Sequence, residues 1–281
     1  MVMNTLAFAP LASRALIALS GPDWRGFLQG LITQDVETLA PGEARFGALL
    51  TPQGRLIYDL FVVGRPDGAW IDVGAEHRAA LIARLTMYRL RAKVEIAADD
   101  TPVAALFGEP APAPGDGWIA DPRLPGLGLR GYGAVAPAGF PAVDEAAYDA
   151  HVLALGVPRP ADWGVEKTYP IEADFDLLAG IDFKKGCFVG QETTSRMKRR
   201  GQIKTRMLPI VFEGEPPTPG AEVLAGELRA GEVLSGVPGR AMALLRLDRI
   251  EGAALTVEGR AVRAERPSWH PVEGAVSGTS K

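Results

Sequence analysis

One short segment concentrates the residue types that could do chemistry. Residues 184–206, here called the basic segment, hold eight basic residues and one acidic residue, for a net charge of +7, whereas the other 258 residues sum to −11. The segment also contains the chain's single cysteine, Cys187. A basic segment in an acidic chain is a candidate anion-binding site, and the alternative is a solvated loop and helix face.

Cys187 is a candidate reactive thiol. Lys184 and Lys185 precede it, and Gly186 and Gly190 allow a ligand to approach the backbone closely. If a helix begins after Gly190, its N-terminus and the nearby cations favour thiolate over thiol. A buried structural cysteine is the alternative interpretation. No histidine lies close in sequence to serve as a general base, so a Cys–His hydrolase has no support.

Two carboxylates are candidate ligand-binding groups. Asp59 interrupts the apolar segment 56–63, where a charge faces either solvent or an enclosed polar ligand. Glu172 lies before the basic segment, and its simpler interpretation is an ordinary loop carboxylate.

Composition excludes several classes of protein. The net charge of −4 and the pI of about 5.5 argue against general binding to nucleic acid or to membranes. One cysteine and three scattered histidines predict no metal site within the chain. No convincing targeting segment is present, and a cytoplasmic, reducing location is expected.

The elements that must position these residues follow two patterns. Hairpins mixed with helices over the first 100 residues favour an α+β fold. Beyond about residue 203, short strand candidates between Gly and Pro turns predict a small antiparallel barrel. The predicted units are an α+β unit at 1–100, a second α+β unit at 101–202 and a β-barrel at 203–281.

A family resemblance emerges from the cysteine segment. Residues 185–192 resemble the KGCxxGQE signature of the YgfZ family of folate-binding proteins, which are relatives of the glycine-cleavage T-protein, an aminomethyltransferase. Residues 27–36, 51–59, 88–94 and 121–123 also resemble that family, in the same order along the chain. The resemblance covers roughly residues 14–247.

The resemblance implies a fold, a ligand and a role. The fold is two folate-binding α/β units plus a C-terminal antiparallel β-barrel around a central cavity. The ligand is tetrahydrofolate or a one-carbon derivative. The role is assembly or maintenance of iron–sulfur proteins, including tRNA-modifying enzymes, with reduced folate and iron–sulfur proteins or their assembly machinery as partners. Carried over by position, Cys187 is the catalytic residue, and the cofactor-binding residues are Asp59, Glu172, Lys185, Gly186, Gly190, Gln191, Glu192 and Arg196.

Two departures separate the sequence from the T-protein. The aromatic residue that follows the aspartate in the T-protein strand is Val63 here, and the T-protein normally lacks the cysteine. Both departures favour the YgfZ branch over aminomethyl transfer. A folate-dependent one-carbon transferase and a non-catalytic folate-binding regulatory module stay open as alternatives.

Overall fold

The computed structural model describes residues 6–109, 113–115, 117–201 and 203–271. Over these residues the chain forms two antiparallel sheets and a closed barrel. Besides the strands and helices named below, three short 3-10 helices occur, at Ala75–His77, Pro125–Leu127 and Pro160–Asp162.

The first sheet has five strands in the order β3-β4-β5-β2-β6. Both faces of this sheet are packed, because successive side chains of a strand point to opposite faces. Ile17 and Leu19 pack with two helices, and Leu16 packs on the other face. The strands are β2 (Arg14–Ser20), β3 (Ala44–Leu50), β4 (Leu56–Arg65), β5 (Gly68–Gly74) and β6 (Glu95–Asp99), and the helices are α1 (Trp24–Gln29) and α2 (Arg78–Arg89).

The second sheet has four strands in the order β1-β7-β9-β8. Its first strand comes from the N-terminal end of the chain, inside the range 1–100 that the sequence assigns to the first unit. Helix α3 (Glu145–Ala154) is capped by Asp144, whose side chain accepts a hydrogen bond from the Ala147 amide. The strands are β1 (Ala7–Pro10), β7 (Val103–Phe107), β8 (Trp118–Ala120) and β9 (Leu129–Tyr132).

The barrel closes because its first strand pairs with both β13 and β15. Alternate residues of its first strand serve two cores: Leu208 points into the barrel, and Met207 packs in the core between the sheets. The strands are β10 (Thr205–Val211), β11 (Glu222–Ala225), β12 (Leu228–Val237), β13 (Arg240–Arg246), β14 (Leu255–Val257) and β15 (Arg260–Ala264), and the helices of this half are α4 (Gln191–Arg200) and α5 (Leu247–Ile250).

The predicted α+β fold with a C-terminal antiparallel β-barrel is confirmed. The division of the chain at residues 100 and 202 stays a prediction. The second sheet takes its strand β1 from residues 7–10, which lie inside the first predicted unit.

Buried ion pairs join the two sheets. Asp72 on β5 is fully buried and accepts hydrogen bonds from Arg14 on β2 at 2.7 Å and from Arg130 on β9 at 2.5 Å. The Tyr132 hydroxyl donates to the same carboxylate at 3.1 Å. Burial opposes the charged form of Asp72, but the two guanidinium groups outweigh it and hold the pKa of this carboxyl below its usual value.

The same network continues in both directions. Arg14 also pairs with Asp59 at 2.9 Å, and Arg123 pairs with the buried Asp121 at 2.8 Å. Three of these guanidinium groups lie over the Phe61 ring, the closest being that of Arg130 at 3.9 Å from the ring centre. We call these residues the intersheet network: Arg14, Asp59, Asp72, Asp121, Arg123 and Arg130.

Removing one member of the intersheet network is expected to destabilise the whole fold. Arg130→Met leaves Asp72 with fewer partners in a buried site, and we expect a loss of about 3–5 kcal/mol in the free energy of unfolding by urea. Tyr132→Phe removes one hydrogen bond and should cost about 1–2 kcal/mol. Arg246→Met, which breaks an exposed pair with Asp248, is the control and should leave the unfolding free energy close to that of the wild type. Equal losses in Arg130→Met and Arg246→Met would contradict the expectation.

Candidate functional site

Cys187 lies exposed on a loop that leads into helix α4. Helix α4 begins at Gln191, directly after Gly190, which is where the sequence places a helix start. Across the described part of the chain, no three His, Cys, Asp or Glu side chains come together as a metal-binding group. The thiol is therefore presented to solvent as a single potential ligand.

Lys185 fixes the Cys187 loop (residues 180–190) to the end of helix α1. Its Nζ atom donates to the carbonyl oxygens of Gln29, Ile32 and Gln34 at 2.8, 2.7 and 2.8 Å. Burial lowers the pKa of Lys185 to about 8, while nearby carboxylates, Asp35 first among them, act in the opposite direction. The ammonium group thus holds the loop in place instead of facing the thiol or an external anion.

A second set of hydrogen bonds joins the same two segments. The buried hydroxyl of Thr33 donates to the Gly180 carbonyl at 2.6 Å and accepts from the Ala48 amide at 2.8 Å. The Asp182 amide donates to the Thr33 carbonyl at 3.0 Å. Two of the family-like segments, residues 27–36 and 185–192, are therefore adjacent in space because one supplies the contacts that hold the other.

Gly190 packs against the hairpin turn at residues 51–55. Its φ is +81°, and a Cβ atom there would lie 2.6 Å from the Thr51 carbonyl oxygen. Gly54 in the turn also has a positive φ, +83°, and its Cβ would lie 2.9 Å from Thr193. The glycine at 190 thus permits backbone–backbone packing. Gly186, in contrast, faces open space within 4 Å.

The helix residues of the motif divide between packing and solvent. Gln191 is half-buried in the first turn of α4. Glu192 and Arg196 are exposed and pair with each other at 2.7 Å, one helical turn apart. Their charges therefore largely compensate each other on the helix surface.

The two predicted ligand-binding carboxylates lie in different clusters. Asp59 belongs to the intersheet network and is nearly buried, with 9% of its side chain exposed. Glu172 contacts the barrel instead: it accepts from the Thr205 hydroxyl at 2.8 Å and from the Tyr169 amide at 2.9 Å. No hydrogen bond or ion pair connects Asp59 with Glu172 among the described residues.

The basic segment is not one continuous charged surface. Arg206 is buried and pairs with Asp174 at 2.6 Å and with Asp176 at 2.8 Å. Burial disfavours the charged form of Asp176, but Arg206 and Lys198 outweigh it and hold the pKa of that carboxyl below its usual value. The charged groups of Lys185 and Arg206 are both bound to groups inside the protein, so the exposed basic surface is smaller than the sequence suggests.

Sequence reasoning missed two central members of the intersheet network. Asp72 and Arg130 carried the same signal as Asp59, a charge inside an otherwise apolar strand, and were not singled out. Their pairing across two sheets has no signature in the local sequence, because the partners are 58 residues apart.

Sequence and structure comparisons identify relatives. A family model described as the CAF17 C-terminal beta-barrel domain matches residues 204–272. The chain is 32% identical over 286 residues to the mitochondrial iron-sulfur cluster assembly factor IBA57 homolog of Pyricularia oryzae, covering 87% of this chain and 72% of that protein. The proteins of the same name from Neurospora crassa and Phaeosphaeria nodorum are 32% and 38% identical, over 80% and 73% of this chain.

The likeness to solved structures concerns the fold. The glycine cleavage system aminomethyltransferase T from Bartonella henselae superposes with a TM-score of 0.77 over 95% of this chain and 87% of that one, at 17% identity. The chain spans 58% and 55% of the lengths of the Neurospora and Phaeosphaeria relatives.

The expected kinship to the aminomethyltransferase fold is confirmed, and the relatives named above are IBA57 homologs. The finer assignment to the YgfZ branch stays a prediction. The expectation of a cytoplasmic location is wrong by the same comparison, because the names of these relatives place them in mitochondria. In the described residues, no helix has the length and apolar character that crossing a membrane requires.

The glycine contacts of the Cys187 loop generate a matched pair of variants. Gly190→Ala forces a side chain onto a left-handed backbone and against the Thr51 carbonyl, and we expect a loss of about 1–3 kcal/mol in unfolding free energy. Gly186→Ala has open space and should change stability by less than about 0.5 kcal/mol. Urea unfolding of both variants measures this. Equal stability of the two variants would show that the packing of Gly190 on the turn is unimportant.

Proposed function

The chain belongs to the IBA57 family of iron–sulfur cluster assembly factors, and on that premise we propose that it acts in assembling or maintaining iron–sulfur proteins through Cys187. The observation that carries the proposal is the exposed Cys187 thiol on a loop fixed from two sides, by Lys185 and by the packing of Gly190. The family resemblance implies that tRNA-modifying iron–sulfur enzymes are among the proteins served.

The chemistry of a single thiol limits the mechanism. Thiolate sulfur is a soft ligand suited to iron in clusters, and clusters usually require about four such ligands. The chain has one cysteine. A cluster that meets Cys187 must therefore take its other ligands from a partner protein or from a second copy, so the contact is shared and suits transfer better than storage.

The alternative of a one-carbon transferase receives less support. Catalysis of aminomethyl transfer by Asp59 would require its carboxylate to face substrate. Here its Oδ2 atom accepts from Arg14 at 2.9 Å inside the intersheet network. The alternative of a binding module without chemistry leaves the exposed thiol without a role.

Replacing Cys187 tests the proposal. Cys187→Ser keeps the shape of the loop but replaces a soft ligand with a hard one. We expect cluster transfer from a loaded donor protein to an apo iron–sulfur enzyme to slow by at least about tenfold. The readout is the recovery of activity of the recipient enzyme with time. Met87→Ala, which shortens an exposed side chain on helix α2, is the control and should transfer at the wild-type rate. Unchanged transfer by Cys187→Ser would overturn the proposed role of the thiol.

We also propose that the chain binds reduced folate. The resemblance to folate-binding proteins and the fold shared with an aminomethyltransferase support this second proposal. Glu172 is the weaker candidate for a pterin acceptor, because each of its oxygen atoms already accepts a hydrogen bond within the chain. Asp59 fits through one oxygen only, since Oδ2 is taken by Arg14 and Oδ1 accepts no hydrogen bond from a described residue. Asp59 would thus accept an N–H group of the pterin, and no step of the cluster chemistry depends on it.

Calorimetry with tetrahydrofolate separates the two carboxylates. Asp59→Ala should weaken binding by about 2 kcal/mol, because a charged hydrogen bond is lost, and this is about 30-fold in Kd. Glu172→Gln should leave the Kd unchanged. An unchanged Kd for Asp59→Ala, in a variant shown to be folded by its unfolding midpoint, would remove Asp59 from the folate site.

A further inference from the structure

A groove lies beside the Cys187 loop. It has a volume of about 640 Å³ and is lined by Phe183 and by one face of helix α4: Gln191, Glu192, Ser195, Lys198 and Arg199. Phe183 and Cys187 are four residues apart on the same loop, so their Cα atoms lie within about 14 Å of each other. An occupant of this α4 groove that contacts Phe183 therefore touches the same loop that carries the thiol.

The apolar part of the α4 groove is the Phe183 ring, which is held by a chain of contacts to the protein interior. Phe183 is 36% exposed, and the Lys198 ammonium lies over its ring, 5.5 Å from the centre. Lys198 in turn pairs at 3.1 Å with Asp176, whose side chain is fully buried and bound by Arg206 from the barrel. A partly exposed aromatic ring is thus fixed at a defined position beside a cation.

The charges of the α4 groove favour an anionic occupant. Lys198 and Arg199 are exposed along it; Lys198 shares the buried Asp176 with Arg206, so the charge of Arg199 is the less compensated of the two. Its one carboxylate, Glu192, is compensated by Arg196 at 2.7 Å. The chain as a whole carries −4, so this positive surface stands out against an acidic protein.

We propose that the α4 groove docks an acidic segment of the protein that exchanges a cluster with Cys187, with an apolar side chain on Phe183 and carboxylates on Lys198 and Arg199. This inference rests on the proposed function and names the chemistry of its partner. A protein segment is favoured over nucleic acid because nucleic acid requires a track of phosphate contacts, whereas the groove offers two cations next to an apolar ring.

A labelled peptide tests the groove directly. The probe is a fluorescein-labelled peptide with one central leucine and three aspartates on each side, and its binding is followed by fluorescence anisotropy. Arg199→Glu should weaken binding at least about tenfold, since one attraction becomes a repulsion, and Phe183→Ala should weaken it about fivefold or more through lost apolar contact. Both variants leave the pair between Lys198 and Asp176 intact.

Arg91→Glu supplies the matched control, because Arg91 is an exposed arginine that does not line the groove. It should bind the peptide with wild-type affinity. Added salt should weaken binding to the wild-type protein, because exposed charges are screened over about 8 Å at physiological ionic strength. Absence of peptide binding at low salt, or equal weakening in Arg91→Glu and Arg199→Glu, would overturn the proposal.

The cluster-transfer assay keeps the two proposals apart. Phe183→Ala and Arg199→Glu should raise the donor concentration needed for half-maximal transfer and leave the rate at saturation near that of the wild type. Cys187→Ser should lower the rate at saturation and bind the peptide normally. Loss of the saturating rate in Arg199→Glu would contradict a docking role, whereas normal transfer by Cys187→Ser would contradict only the role of the thiol.

Discussion

The fold depends on how Asp72 is buried. This carboxylate lies fully enclosed between two sheets, and an unpaired charge there would be very costly. Arg14 from its own sheet and Arg130 from the other sheet both bind it. Because each sheet supplies part of the compensation, neither can move away without leaving a buried charge exposed to an apolar core. The relative position of the sheets is therefore fixed by electrostatics as well as by the shared apolar core.

That constraint has a consequence for the chemistry of the site. Asp59, at one end of the network, is bound by Arg14 and nearly closed to solvent. The chain thus shares the fold of an aminomethyltransferase, and in it Asp59 takes part in holding the structure together. The exposed thiol lies elsewhere, on the Cys187 loop.

The Cys187 loop is held by contacts that use the charges and glycines of its own motif. Lys185 binds three carbonyl oxygens at the end of helix α1, and Gly190 packs on the turn that contains Gly54. Two residues of the motif therefore help to position the loop that carries the thiol. For the shared cluster that we propose, such rigid presentation matters because the partner must meet the sulfur atom at a defined distance and angle.

The sequence by itself determined the fold class and singled out one candidate reactive residue. Alternation of apolar residues and turn chemistry placed the strands of the first sheet and the barrel, because these signals are local. The KGCxxGQE segment singled out Cys187. Tertiary structure decided the rest: that Lys185 and Arg206 turn inward, that Asp59 and Glu172 belong to separate clusters, and that strand β1 joins the second sheet. Each of these outcomes depends on partners far away in the chain. A count of charges in one segment cannot tell which side chains meet a buried carboxylate or carbonyl and which stay in water.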